Sequence, residues 1–297
     1  MSENTNSPTT GTTYMHDDDT IARIALACAG VSGDPSVAVA IELMGGAVPF
    51  IAAVHDGRDH AVALTPATRQ RIRTIATVSR VTGALNAMIR HGVGVLTPLH
   101  AAWPTQVAAL RGAAPLVLWV RGNVAVLKLP SIAWTGTSTP TAFGIHLALE
   151  LGTGLADRGW VIAAGVGNGI DRLVLKAARA MGGQTVTVAA SGPLGDHPAK
   201  GSGGVVISEL PPTAFASIRG QQRAKFLLAA IATKTILIEA DAGSGAVRTA
   251  AAAHALGRPV GVGIGADGSA ASTGCRDLAA RHGLAVIGSI ADADRLR

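Results

Sequence analysis

Two textures of apolar spacing divide the chain. From Ile21 to about Arg90 the apolar positions recur at helical spacing rather than alternating. "DDDTIARIALACAG" sets Asp17, Asp18 and Asp19 ahead of a helical run, where carboxylates favour the positive end of the helix dipole. Gly30, Gly33 and Pro35 break that run, and "SVAVAIELMGG" begins another. Residues 65–90, "TPATRQRIRTIATVSRVTGALNAMIR", read as helical again, with Thr65-Pro66 as the start. Arg69, Arg71, Arg73 and Arg80 do not share one face there and are expected to be mainly solvated.

After residue 112 the pattern changes. Short apolar runs, "SIAWTG", "WVIAAG", "QTVTVAAS", "GVVISE", "KTILIEA" and "PVGVGIG", alternate with stretches of helical period. In "AFGIHLALELGTGLA" the residues Phe143, Leu147, Leu151 and Leu155 stand four apart, one stripe of a helix lying on a sheet. Buried Val and Ile runs alternating with such helices predict an α/β domain, a doubly wound and mostly parallel sheet covered on both faces, preceded by a small all-α domain. Ligands of such sheets bind beyond the carboxyl ends of the strands.

Composition narrows the class. The 297 residues are 48% hydrophobic and 15% charged, which suits a buried core rather than disorder. Only the opening "MSENTNSPTTGTTYMHDDDT" is polar enough to be expected as a disordered tail, over residues 1–19. The most apolar long window, "PSVAVAIELMGGAVPFIAAV", is interrupted by Glu42, Gly45, Gly46 and Pro49, so no membrane span is expected. With no charged segment leading into a short apolar one at the start, a cytoplasmic location is expected. Cys28 and Cys275 form neither a disulfide framework nor a metal site, and no metal or cofactor is expected. The net charge of +6 is uneven: residues 1–111 carry 8 basic and 8 acidic side chains, residues 112–297 carry 17 and 11. That excess points toward a polyanionic partner.

The candidate chemistry is anion binding. "AAGVGNGIDRLVLKAAR" places Gly165, Gly167 and Gly169 at a strand-to-helix turn, where helix N–H groups meet anions. The third glycine is too close to the second for the dinucleotide fingerprint. Ile170, Val174, Ala177 or Ala178, and Met181 make the inward stripe of the helix that follows, while Arg172, Lys176 and Arg179 share another face. "TGTSTPTAFG" offers Gly136, Thr137 and Ser138 before a helix, and "SIRGQQRAKFLLAAIA" concentrates Arg219, Arg223 and Lys225. "TILIEADAGSGAVRTA" gives strand, turn and helix with Ser244, Gly245 and Arg248 at the junction. No GxSxG, HExxH or Walker loop is present, so catalysis is not expected; Asp171, Glu209 and Glu239 are expected near the strand ends, Glu209 and Glu239 as acids that cap or orient loops.

Read in order, several segments resemble the DNA-processing protein A (DprA/Smf) family. They are "LWVRGN", "PSIA", "AAGVGNGID", "DHPAK", "GGVVISELPP", "TILIEADAGSGAVRTAAAAHALGRPVGVGIG" and "STGCRDLAARHGLAVI". The resemblance implies an extended Rossmann-like domain over residues 101–297 and a SAM or helix-hairpin-helix-like domain over 20–100. It implies a non-catalytic protein that binds and protects single-stranded DNA and loads a RecA-type recombinase in DNA uptake and recombination, as a homodimer. The arginine of the family's G-S-R loop falls on Ser138, another falls on Asn168, and a histidine falls on Leu175. Lys200, Arg223 and Lys225 stand near the family's other cations. The alternative expectation is a nucleotide (small-ligand) sensor that has lost DNA binding.

Overall fold

A computed structural model of the chain describes residues 17–59, 63–195, 203–266 and 268–296. Five helices come first: α1 (Asp18–Cys28), α2 (Pro35–Leu43), α3 (Ala47–Asp56), α4 (Pro66–Ile75) and α5 (Val78–His91). The acids at the start act as the pattern demands, since Asp17 caps α1 and its side chain accepts from Thr20 N–H at 2.6 Å. Helix therefore begins at Asp18, inside the interval 1–19 expected to be tail; residues 1–16 lie outside the described residues.

Asp19 reaches across to accept from Ala47 N–H at 2.9 Å and so caps α3 from another helix. The apolar window folds back on itself as α2 and α3, bent by 100° where Gly45 and Gly46 take positive φ. No single helix among the described residues is long and apolar enough to cross a membrane. Ile24, Leu26, Val37, Phe50, Val54 and Ile72 close the core of this helical unit.

Two expectations fail here. The run 65–90 is two helices, because Ala76 leaves helical geometry and Thr77 caps α5. The arginines of α4 are also not simply solvated. Arg69 pairs with the buried Asp59 at 2.6 Å, Arg71 donates to the carbonyls of Ala29 and Gly30, and Arg73 donates to Val54 O at 2.8 Å. Long cationic side chains are satisfying the carbonyl ends of α1 and α3, which a face-by-face reading of α4 alone does not show.

The rest of the chain forms one sheet. Its strands are β1 (Gly94–Leu96), β2 (Leu118–Gly122), β3 (Ser131–Gly136), β4 (Val161–Gly165), β5 (Thr185–Val188), β6 (Gly204–Ser208), β7 (Lys234–Ile238), β8 (Val260–Gly263) and β9 (Ala285–Val286). The helices among them are α6 (Ala142–Asp157), α7 (Ile170–Ala180), α8 (Ile218–Ile231), α9 (Gly245–Ala255), α10 (Thr273–His282) and α11 (Ile290–Arg295). The spatial order is β1-β2-β6-β5-β4-β3-β7-β8-β9. All pairs are parallel except β1–β2 and β2–β6. This is the expected mostly parallel, Rossmann-like sheet. β1 lies inside the interval 20–100 expected to be helical, yet it joins the sheet through Val95 opposite Trp119.

Side-chain alternation feeds both faces. Ile132, Trp134, Ile162 and Ala164 meet α6 and α7 through Leu147, Leu151, Leu155 and Val174. Ala133, Ala163, Val186 and Ile207 meet Leu227, Leu228 and Ile231 of α8. Each leucine so buried contributes about 1.5–3 kcal/mol relative to exposure. Phe143 and Met181, expected on inward stripes, are partly exposed instead. They sit at the helix ends, where the sheet no longer covers them. At the opposite edge of the strands the buried Lys234 holds α11, donating to Ala293 O at 3.0 Å beneath the Trp160 ring.

Candidate functional site

The strand order reverses at β3. α6 leaves it on one face toward β4, whereas α9 leaves the neighbouring β7 on the other face toward β8, so the carboxyl ends part and a crevice opens between them. A pocket of about 280 Å³ fills that crevice. Thr135, Gly136, Thr137 and Ser138 line it from β3; Gly167, Asn168 and Asp171 line it from the turn after β4. Ala240, Asp241 and Ser244–Ala246 close it after β7, and Lys225 enters from α8.

Three helices begin around this crevice, and at two of them the protein itself takes a backbone donor. At α6, Thr141 donates its N–H and hydroxyl to the carboxylate of Glu239, the N–H at 2.8 Å. Glu239 is fully buried at a left-handed φ of 43°. Gly144 is needed beside it, since a Cβ there would stand 2.3 Å from Glu239 Oε2. At α7, Ile170 N–H donates to Thr137 O at 3.2 Å. Gly169 makes that approach possible: its φ is 71°, and a Cβ would meet Thr137 O at 2.2 Å. After Gly136 and Gly169, therefore, an acid and a carbonyl of the chain itself take one of the backbone donors at each terminus.

The third terminus is open. Ser244 caps α9 by accepting from Val247 N–H at 3.3 Å. Gly245 and Ala246 line the pocket, and their N–H groups make no hydrogen bond among the described residues. Lys225 lies directly over them, its Nζ only 2.3 Å from where a Gly245 Cβ would be. Among the described residues Lys225 has no acid within ion-pair distance. Two backbone donors, a helix dipole and an unpaired ammonium converge on one point, which is the arrangement an oxyanion needs.

Asp171 tunes that point. Burial pushes its carboxyl up to about 7, against the pull of backbone hydrogen bonds from Gly165, Asp171 itself and Gly136, and of the Lys225 charge. Above that pH a carboxylate faces the anion pocket; below it the group is neutral. Affinity for a phosphate ligand is thus expected to rise as pH falls from 8 to 6, by up to about tenfold. Asp171→Asn should flatten the profile, and the difference between the two proteins in a pH series isolates this group from surface histidines. Parallel profiles would remove Asp171 from the binding equilibrium.

A second pocket, of about 360 Å³, adjoins the first across Gly167 and Asn168. Gly165, Val166, Leu175, Thr187 and the α7 cations Arg172, Lys176 and Arg179 complete it. The structure thereby gathers Gly136, Thr137, Ser138, Gly165, Gly167, Asn168, Arg172, Lys176, Lys225, Ser244 and Gly245 around two connected cavities.

Other candidates lie elsewhere. Arg248 points back to its own loop, donating to Gly243 O at 2.6 Å. Arg223 is spent in a buried ion pair with Glu209, Nε to Oε2 at 2.8 Å and Nη2 to Oε1 at 3.0 Å. Arg219 lies near that pair and near Arg71 and Asp34, outside both pockets. Lys200 and "DHPAK" are outside the described residues. Asp241 is not foreseen by the sequence; Asp171 is expected only as an acid near the strand ends, and Arg179 only as part of the basic face of α7. For Arg179 the helical spacing with Arg172 and Lys176 carried the signal. Neither cysteine bears on the site: burial pushes the thiols of Cys28 and Cys275 up to about 11 and about 12.

Comparison with known proteins gives this geometry its family. The model of DNA recombination-mediator protein A matches residues 94–293. The chain belongs to that family. The putative DNA processing protein DprA of Mycobacterium tuberculosis is 34% identical over 230 residues, covering 71% of this chain and 59% of the relative. The chain thus spans about three fifths of that relative's length. DNA processing protein A from Streptococcus pneumoniae superposes with a TM-score of 0.76 at 21% identity, over 92% of this chain and 96% of its own. DNA processing protein A from Helicobacter pylori, solved for its single-stranded DNA binding mode, gives 0.60 at 21% identity over 68% and 93%. These similarities establish the Rossmann-like DprA fold.

Proposed function

We propose that this family member binds single-stranded DNA along the carboxyl edge of its sheet and does no chemistry on it. The observation that carries the reading is the open N-terminus of α9 beneath Lys225, at the point where the strand order reverses. Donors there fit a phosphate oxygen, which every nucleotide supplies, so recognition is of the backbone and tolerant of sequence. The second pocket continues the cationic lining past Asn168, which suits a polymer better than a lone nucleotide. The same reading extends to a wider role, protection of single strands and their transfer to a RecA-type recombinase by a homodimer in the cytoplasm, which the family resemblance supports.

Fluorescence anisotropy of a labelled oligo-dT across a salt series tests the reading. Binding should weaken steeply with salt, the slope of log affinity being about 0.7 per phosphate neutralised. Mononucleotides should compete poorly. A folded protein that binds no oligonucleotide even at low salt, yet holds a mononucleotide, would transfer the site to a small-ligand sensor.

A further inference from the structure

Two histidines near the ends of α9 and α10 meet at the edge of the sheet opposite the anion pocket. α9 leads from the carboxyl end of β7 back to the start of β8, and α10 leads from β8 back to β9. These three strands are parallel, so both helices finish at the amino edge. His254 stands in the last turn of α9, and His282 closes α10. Their rings lie 4.4 Å apart, centroid to centroid, and are tilted by 48°, so they touch without stacking face to face. His254 is half-buried and His282 exposed, and among the described residues neither ring has a hydrogen-bond partner. Adjacent imidazoles with unused nitrogens are a donor set for a first-row transition metal. The negative ends of two helix dipoles converge on the same place and favour a cation there.

We propose that His254 and His282 form a two-imidazole chelate for a divalent ion of the nickel(II) or copper(II) kind, independent of the DNA reading. A metal bound at about 2.0–2.1 Å lies about 3.2 Å from the centroid of its imidazole, so two rings at a right angle on it have centroids about 4.5 Å apart. At the tetrahedral angle that zinc prefers, the separation is about 5.2 Å. The observed 4.4 Å matches the right angle, which square-planar and octahedral ions use. A neutral imidazole keeps one nitrogen with a free lone pair, and the exposed ring of His282 has room to turn about its last torsion. The nearby cations are engaged elsewhere: Arg281 faces Asp277 at 3.8 Å, and Arg258 donates to the carbonyls of Gln106 and Ala230. No third His, Cys, Asp or Glu joins the pair among the described residues, so water completes the coordination and the ion is exchangeable. Such an ion pins α9 to α10. It does so roughly 14 Å along α9 from the open N-terminus, and so does not compete for phosphate.

The test titrates nickel(II) chloride into the full chain, carried without a histidine tag, with binding heat and melting temperature as readouts. At free nickel about a hundredfold above its Kd the wild type should melt about 5 °C higher, and a chelator should reverse the shift. His254→Gln and His282→Gln should each weaken nickel binding about 100-fold, because the second imidazole of a chelate binds intramolecularly. The double variant should be no worse than either single one, since the pair acts as a unit. Copper(II) should bind more tightly than nickel, and zinc(II) more weakly. His146→Gln is the control: His146 faces Glu150 at 3.4 Å on α6, an alternative pair of ligands. It should leave the nickel shift intact. A shift that survives loss of His254 and His282, or that disappears with His146, overturns the proposal. A wild type whose melting nickel leaves unmoved overturns it too, and makes the ring contact one of packing alone. Zinc bound as tightly as nickel overturns the right-angle geometry and the class of metal with it.

Discussion

Replacing Lys225 with alanine is expected to weaken oligo-dT binding at low salt by about 10- to 100-fold, the worth of one charge-assisted hydrogen bond to a phosphate. The salt slope should fall by about 0.7 at the same time, because one fewer phosphate is neutralised. The effect should be local. Lys225 is half-buried and has no ion pair among the described residues, so the melting temperature should move little. Arg248→Ala is the matched control: its side chain bonds Gly243 O on the same loop and does not line the pocket, and its loss should change affinity by less than about threefold. Gly245→Ala attacks the site from the other side, since the new methyl group would overlap the Lys225 ammonium. It should displace the ammonium and weaken binding by less than the lysine deletion, without changing any charge. Equal losses in Lys225→Ala and Arg248→Ala would mean that binding reflects only diffuse basic charge, and the α9 terminus would no longer be the anchor.

Much of this arrangement was legible in the chain before any coordinates, and the remainder has physical reasons for being hidden. Six strands with strong Val and Ile runs, β3 through β8, follow from their apolar patterns alone. β1 and β9 contain three and two residues, too few for a period to register. The glycines at 136, 165 and 169 signal close approach, and Gly144 gives no such signal inside its helical run, but only the packing tells what approaches. At Gly144 and Gly169 it is a carboxylate and a carbonyl that take a backbone donor at helix termini the sequence offers as free. The cations divide in a way that spacing cannot show. Arg223 and Lys225 stand two apart on α8 and therefore diverge around the helix, one inward to Glu209 and one to the anion pocket. Family resemblance placed both near DNA, yet only the partner of each decides its role.

That division leads to the second large effect, which concerns stability. The guanidinium of Arg223 is 14% exposed and the carboxylate of Glu209 is 4% exposed. Besides its two bonds to Glu209, Arg223 donates to Ala113 O at 2.7 Å and lies flat on Gly33, whose Cβ would fall 2.2 Å from Cζ. One side chain thus joins α8, the loop after β6, the segment before β2 and the α1–α2 loop of the helical unit. Glu209→Ala leaves the arginine buried and uncompensated, and Arg223→Met leaves the carboxylate in the same state. Either should cost about 3–5 kcal/mol, a drop in melting temperature of roughly 10 °C. The double variant Glu209→Met/Arg223→Met removes both charges and should recover most of that loss, because the expense lies in an unpaired buried ion rather than in a missing attraction. Below its transition the Arg223→Met protein should bind oligo-dT within about threefold of wild type, since no phosphate contact has gone. A variant as stable as the parent that nonetheless fails to bind would return Arg223 to the DNA surface, and would mean that the pair with Glu209 opens when the strand arrives.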